Sequence, residues 1–296
     1  MTGRSTGALP TLALLGVTAA WGSTFFMTKD LLEQMTVLDF LSIRFAIAAL
    51  ALFAAAPRAV ARLSRDELKH GAVLGAVYGS AQVVQTIGLD RTTASVAGFV
   101  TGMYVVLTPL LSAYILREHI DRLVWVAVVM ATVGLAFLSL NGLAVSSGVF
   151  LVFVSTIGYA IHIIGLSRWS STSNVLGLSI VQLAVSCLVA SVVSAPNGIH
   201  PPTTGGGWLA LVYMAVIPGS LAVVGQTWAQ AHLTPTRTAI IMTMEPVFAA
   251  FFAVLFGGES LTGRMLLGGA FVLAAMYIVE LAPRRHIEGE VAHLTF

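Results

Sequence analysis

Glu245 is a carboxylate set deep in an apolar run, directly before Pro246. Such an acid can pair with an ammonium or carry a proton; it can also be a buried acid paired with a neighbouring helix beside the break at the proline. Arg44 lies five residues past Asp39 inside another apolar run. It is open to an anionic group, to a structural pairing or to snorkelling toward an interface. His162 can bind a carboxylate, titrate, or act as a hydrogen-bonded packing residue. Residues three, four and seven apart share a helix face. On that rule Tyr78, Gln82 and Gln85 form one stripe, and Trp21, Thr24 and Thr28 another. Further stripes are Thr101, Tyr104 and Thr108; Ser155, Tyr159 and His162; Gln226 and Gln230, with Trp228 off the line; and Thr238, Met242 and Glu245. Aromatic faces beside amides suit an amphipathic solute, with stacking for its apolar part and donors and acceptors for a polar head. The alternatives are ordinary helix packing for the tyrosines, interfacial anchoring for Trp21 and Trp228, and an inter-helix hydrogen bond for Gln182.

These stripes need long apolar helices to carry them. The chain is 57% hydrophobic and 9% charged, with a mean hydropathy of +0.91, against roughly 25% charged residues in soluble domains. Residues 123–167 and 169–236 contain no Asp, Glu, Lys or Arg. Water cannot be kept from such stretches by a soluble fold, so the expected class is an all-α polytopic membrane protein. Ten apolar runs of about 20 residues fit the thickness of a bilayer: roughly 9–28, 38–56, 71–89, 95–116, 122–141, 148–168, 174–195, 207–231, 236–256 and 263–282. The first could pass for a secretory signal with Thr18-Ala19-Ala20 as its cleavage site. Only Arg4 precedes it, however, and the run continues through Trp21, so it reads as a span. Cys187 is the one cysteine, which excludes a disulfide framework and argues against a Cys-ligated metal.

With the N-terminus inside, eleven basic residues fall on the cytoplasmic side: Arg4, Arg58, Arg62, Arg65, Lys69, Arg117, Arg122, Arg168, Arg237, Arg284 and Arg285. Lys29, Arg91 and Arg264 fall outside. This bias predicts both termini in the cytoplasm of a cell (inner or plasma) membrane protein. The basic stretch from Arg58 to Lys69 then faces anionic lipid.

An internal repeat runs through the chain. Glu118 and Glu259 lie 141 positions apart, each closing an apolar run that opens on a Thr-rich turn and contains a proline, Pro109 or Pro246. Gln85-Thr86 matches Gln226-Thr227 at the same offset, and Trp21-Gly22-Ser23-Thr24 matches Tyr159-Ala160-Ile161-His162 at an offset of 138, as Arg44 matches Gln182. Five spans per half place the second half upside down. The expectation is one membrane domain of two inverted five-helix repeats, residues 1–143 (helices 1–5) and 144–296 (helices 6–10), with a site near the midplane between them. Gly71, Gly75 and Gly79, and Gly98 with Gly102, are spaced for close helix contact. Pro109, Pro218 and Pro246 are candidate kinks or hinges.

AAWGSTF in span one, RFAIAAL in span two, AGFVTGMYVVLTPLLSAYILRE in span four, EPVFAAFFAVLFGGESL in span nine and the following GRMLLGGAFVLAAMYIV resemble the drug/metabolite transporter (DMT) superfamily, in its ten-helix EamA-type branch. Length and aromatic content are similar to YddG-type exporters of aromatic amino acids and methyl viologen. Span four departs from span nine in lacking a Glu before its proline, so the halves bring unlike groups to a site. The resemblance implies a 5+5 inverted repeat and export of small metabolites or drugs.

The expected function is a secondary transporter for small amphipathic metabolites, aromatic or neutral amino acids first, working by alternating access. Its substrate-binding candidates are Tyr78, Gln82, Gln85, Tyr104, Tyr159, His162, Trp228, Gln226 and Trp21, with Glu245 and Arg44 for coupling or charge pairing. The alternatives are export of cationic drugs or other metabolites, and a membrane-embedded enzyme such as an intramembrane protease. There is no G-x-x-x-x-G-K-[ST] and no H-E-x-x-H; Gly165-Leu166-Ser167-Arg168 and Gly177-Leu178-Ser179-Ile180 fit only a short nucleophile pattern. No catalytic residue, metal or cofactor is expected. The expected partners are a small-molecule substrate, membrane lipid and a coupled proton if Glu245 serves that end, with no nucleic acid and no obligatory protein partner.

Overall fold

The computed structural model describes residues 8–116, 122–141, 144–194, 198–233 and 241–281. Glu118, Thr238, Arg4, Arg117, Arg237, Arg284 and Arg285 lie outside them. The described chain consists of helices and the turns that join them, with two paired two-residue strands, Leu140–Asn141 and Ala144–Val145. Its helices are α1 (Ala8–Leu32), α2 (Val37–Ala55), α3 (Arg65–Asp90), α4 (Ala94–Thr101), α5 (Tyr104–Leu116), α6 (Arg122–Ser139), α7 (Ser147–Trp169), α8 (Val175–Ser194), α9 (Gly205–Ala215), α10 (Ala222–Gln230), α11 (Met244–Leu255) and α12 (Gly263–Leu281). Among the described residues, seven helical segments are long and apolar enough to cross a membrane, and three shorter apolar helices accompany them. The protein is an all-α polytopic membrane protein.

Polar residues mark where the helices begin. The hydroxyls of Thr36, Ser64, Thr93 and Thr204 accept from the backbone amides of Asp39, Glu67, Val96 and Gly207, satisfying donors that each first turn leaves free. Ser64 and Glu67 complete a reciprocal capping box. Two loops repeat this chemistry at an offset of 140. Asn174 Nδ2 donates to Glu67 in the box headed by Ser64, and Thr204 Oγ1 donates to Gln34 Oε1 at 2.9 Å.

Two spans are broken where side chains from elsewhere intrude. The fourth was expected to bend at Pro109. Its break instead comes at Gly102-Met103, where backbone bonds tighten to three-residue spacing before α5 resumes with Pro109 inside it. Gly102 faces Pro246 and Met276, and a Cβ there would come within 3.1 Å of both. The eighth passes through a π-helical turn, Val216–Leu221, around Pro218. A proline has no N–H for the carbonyl four residues earlier, and that carbonyl, Met214 O, accepts from Arg44 Nε at 3.3 Å.

Helix α3 packs on α7 and α8, α2 on α8, α6 on α12, and α1 on α10 and α11, while α11 also packs on α4. The α3–α8 seam explains the glycine series: Gly71 faces Val181, Gly75 the backbone of Gln182, and Gly79 that of Ser186. Ser186 Oγ donates to Gly75 O at 2.9 Å across the seam. These glycines bring two backbones together and do not line the cavity described next.

Candidate functional site

The helices surround a cavity lined by both polar and aromatic side chains. Its walls are Trp21, Thr24, Phe25 and Thr28 from α1, Arg44 from α2, Tyr78, Gln82, Gln85, Thr86 and Leu89 from α3, and Thr101 and Tyr104 from α4 and α5. From the later part of the chain come Tyr159, His162 and Ile163 of α7, Gln226 of α10, Met242, and Glu245 of α11. The cavity volume is about 50 Å³, room for a few waters, against roughly 300–1,000 Å³ for sites that enclose drug-sized ligands. An amino acid with an aromatic side chain requires this space to widen.

The structure brings together ten of the eleven candidate residues. Trp228 is the exception. Two residues from Gln226 on a helix is about 200° of turn, and its ring instead lies against that of His232, tilted by 47° with centroids 4.7 Å apart. Trp21 lines the cavity, and its Nε1 donates to Pro218 O at 2.9 Å, a buried anchorage rather than an interfacial one.

Polar contacts cross between early and late helices. Tyr104 donates its hydroxyl proton to Glu245 Oε2 at 2.9 Å. Tyr159 donates to Gln85 Oε1 at 2.7 Å, and Gln85 Nε2 donates to Thr101 Oγ1 at 2.8 Å. Gln82 Nε2 donates to Tyr78 at 3.3 Å. His162 Nε2 donates to Gln182 Oε1 at 2.7 Å, so that ring is held by a packing bond. Aromatic rings form a ladder along one wall: Phe45 to Tyr78 at 6.0 Å, Tyr78 to Tyr159 at 6.1 Å, and Tyr159 to Tyr104 at 6.4 Å.

Arg44 and Glu245 are 4% and 5% exposed, and both reach the cavity. Among the described residues no carboxylate lies within ion-pair distance of Arg44. Its contacts are Met214 O and the rings of Phe40 and Phe45, 5.7 and 5.9 Å from the guanidinium carbon. A carboxylate and a guanidinium thus share one polar chamber without being paired to each other.

Phe25, Thr86, Leu89 and Ile163 also line the chamber although none is among the candidates, Thr86 figuring in the sequence only as part of the repeat. Each continues a stripe already visible by helical spacing: Phe25 follows Trp21 by four, Thr86 follows Gln82 by four, and Leu89 follows Gln85 by four; Ile163 follows Tyr159 by four. The two serines of the short nucleophile pattern bond elsewhere. Ser179 Oγ donates to Thr227 Oγ1 at 3.4 Å, and Ser167 Oγ donates to Ile163 O at 2.9 Å. Among the described residues there is no group of three or more His, Cys, Asp or Glu able to hold a metal.

Polar clasps tie helix ends together on the face that carries the α1–α2 turn. Glu259 accepts from Ala94 N at 2.6 Å and Ser95 N at 3.1 Å, an anion on the first amides of α4. Lys29 Nζ donates to Leu89 O at 3.4 Å and Thr92 O at 2.5 Å, a cation at the end of α3. Both follow the sign of the helix dipole. Asp39 accepts from Ser194 Oγ at 2.5 Å and lies 3.6 Å from His200.

The model of the EamA-like transporter family matches residues 9–140 and 146–281. An uncharacterized transporter of Archaeoglobus fulgidus is 31% identical over 275 residues, covering 91% of this chain and 85% of its own. The uncharacterized inner membrane transporter YedA of Escherichia coli K12 is 23% identical over 277 residues, covering 91% of this chain and 90% of its own. A crystal structure sharing 16% identity superposes with a TM-score of 0.65, over 92% of this chain and 96% of that one, a likeness of fold.

Proposed function

The chain belongs to the EamA-like transporter family, and from that premise we propose that this membrane transporter exports small amphipathic metabolites, amino acids with aromatic or neutral side chains first among them, by alternating access. The observation that carries the reading is the buried chamber walled by tyrosines and amides from both ends of the chain. Its rings suit an apolar side chain and its amides a polar head. At its present volume it cannot enclose such a solute, so the helices must move apart to admit one and close to pass it on.

The two matched segments are read as inverted five-helix halves, residues 1–143 and 144–296. Several contacts support this. Under the pairing of α1 with α7, α3 with α9–α10 and α4–α5 with α11, the packing of α3 on α7 has its mate in α10 on α1, and α1 on α11 has its mate in α7 on α4 and α5. The excess of basic residues on one side supports cytoplasmic termini in a cell membrane, with lipid around the bundle. The driving force is a solute gradient or a coupled proton carried by Glu245.

Uptake of labelled aromatic, aliphatic and charged amino acids into proteoliposomes, with and without a pH gradient, tests the reading. Saturable uptake of neutral amino acids that falls when Tyr78, Tyr104 or Tyr159 is replaced is the expected result. Absence of uptake of every amino acid by folded protein sinks the substrate assignment. Glu245 also favours a second reading, export of organic cations, which the same assay separates by adding a labelled cation.

A further inference from the structure

We propose that Arg44 is the receptor for a carboxylate on the transported solute, so that the cargo must carry a free carboxylate and simple organic cations are excluded. The inference rests on the transporter reading above and names the solute class that its chamber accepts.

A guanidinium has five N–H donors and no acceptor. In Arg44 the Nε donor is taken by the Met214 carbonyl that Pro218 leaves without its helical partner. No acceptor is assigned to the four Nη donors among the described residues, although the side chain is 4% exposed and lies on the chamber wall. Phe40 and Phe45 flank the guanidinium and supply no counter-ion. A buried cation without an anion is costly, and two parallel Nη donors match the two oxygens of a carboxylate. Anchoring through Nε fixes the plane of the fork and leaves its end free.

The carboxylate already in the chamber does not fill this role: Glu245 is bonded by Tyr104. Nor can Asp39 on the same helix, whose oxygens face Ser194 and His200. The ring ladder begins beside Arg44 at Phe45 and runs through Tyr78 to Tyr159. A solute whose carboxylate sits on Arg44 therefore has an aromatic wall for its side chain. An ester, an amide or an amine presents no anion to the fork and leaves the buried charge uncompensated.

The test compares four probes that share one ring: phenylalanine, phenylalaninamide, 3-phenylpropionate and phenethylamine. Thermal unfolding of the purified protein in detergent is measured with each at millimolar concentration, and labelled phenylalanine uptake into proteoliposomes is measured in parallel. Phenylalanine and 3-phenylpropionate are expected to raise the melting temperature, and the amide and amine to leave it unchanged. Arg44→Gln should weaken binding of both carboxylates about ten- to hundredfold, and Arg44→Lys, which keeps the charge but loses the fork, should fall between. The probe comparison on the wild-type protein stands even where a variant misfolds. Stabilisation by phenylalaninamide equal to that by phenylalanine, a folded Arg44→Gln that binds as before, or no stabilisation by either carboxylate overturns the inference. Binding of the carboxylates with no phenylalanine uptake upholds the Arg44 site and overturns the assignment of amino acids as cargo.

Discussion

Tyr104 and Glu245 stand 141 positions apart and are joined by a 2.9 Å hydrogen bond. The same offset relates Gln85 to Gln226 and Glu118 to Glu259 in the sequence. The bond ties α5 to α11 inside the chamber. The pair is unlike, a phenol and a carboxylate, which makes this junction chemically one-sided.

Replacing Glu245 by Gln keeps an acceptor for the Tyr104 hydroxyl and removes the charge. If Glu245 carries the coupled proton, Glu245→Gln should reduce uptake by about tenfold or more, the scale of a charge-assisted bond lost in a buried site, and should flatten its response to a pH gradient. Unchanged rate and pH response would exclude the coupling role. Tyr104→Phe should slow uptake while preserving the pH response.

The bond between Tyr159 and Gln85 ties α7 to α3 inside the chamber. Tyr159→Phe and Gln85→Leu, singly and together, form a double-mutant cycle. A coupling of about 0.5–1.5 kcal/mol in unfolding free energy is expected. Additive effects would show that the bond contributes nothing in the folded protein.

Gly75 packs against backbone, not against a side chain that can swing away. A Cβ there would lie 2.6 Å from Gln182 O and 2.9 Å from its Cα. Gly75→Ala should destabilise the α3–α8 seam by about 1–3 kcal/mol and lower the melting temperature in detergent. Gly16→Ala, where nothing lies within 4 Å of the new methyl, should show no such loss.

Glu259 holds two amides at the start of α4. Glu259→Ala should cost about 1–2 kcal/mol of stability, the range for losing a helix cap together with its charge complement. If the clasp also keeps this face closed, a cysteine introduced by Ser95→Cys should react faster with a water-soluble maleimide when combined with Glu259→Ala than when Glu259 is kept.

Trp228 lies off the chamber and packs its ring against His232, so Trp228→Phe should leave the apparent KM for phenylalanine within about twofold. Trp21→Phe removes the donor to Pro218 O and leaves a buried carbonyl unpaired, a cost of about 1–3 kcal/mol. A shift in KM with Trp228→Phe equal to that with a chamber tyrosine would contradict the placement.

Composition and helical period by themselves determined that this chain spans a membrane in helices, where most helices begin, and which face of each carries the polar groups. Those properties are local: hydropathy over about 20 residues and a spacing of three or four. Tyr78, Gln82 and Gln85 could be seen to share a face, and so could Tyr159 and His162. Only the tertiary structure decided which faces meet. It set the break of the fourth span at Gly102, against Pro246 and Met276, rather than at Pro109. It gave Arg44 the carbonyl of Met214 and no carboxylate among the described residues. Period identifies the side of a helix but not its neighbour. The neighbours here are helices far apart in the chain, from 74 residues for Gln85 and Tyr159 to 197 for Trp21 and Pro218, chosen by how small residues such as Gly75 and Gly98 let backbones approach.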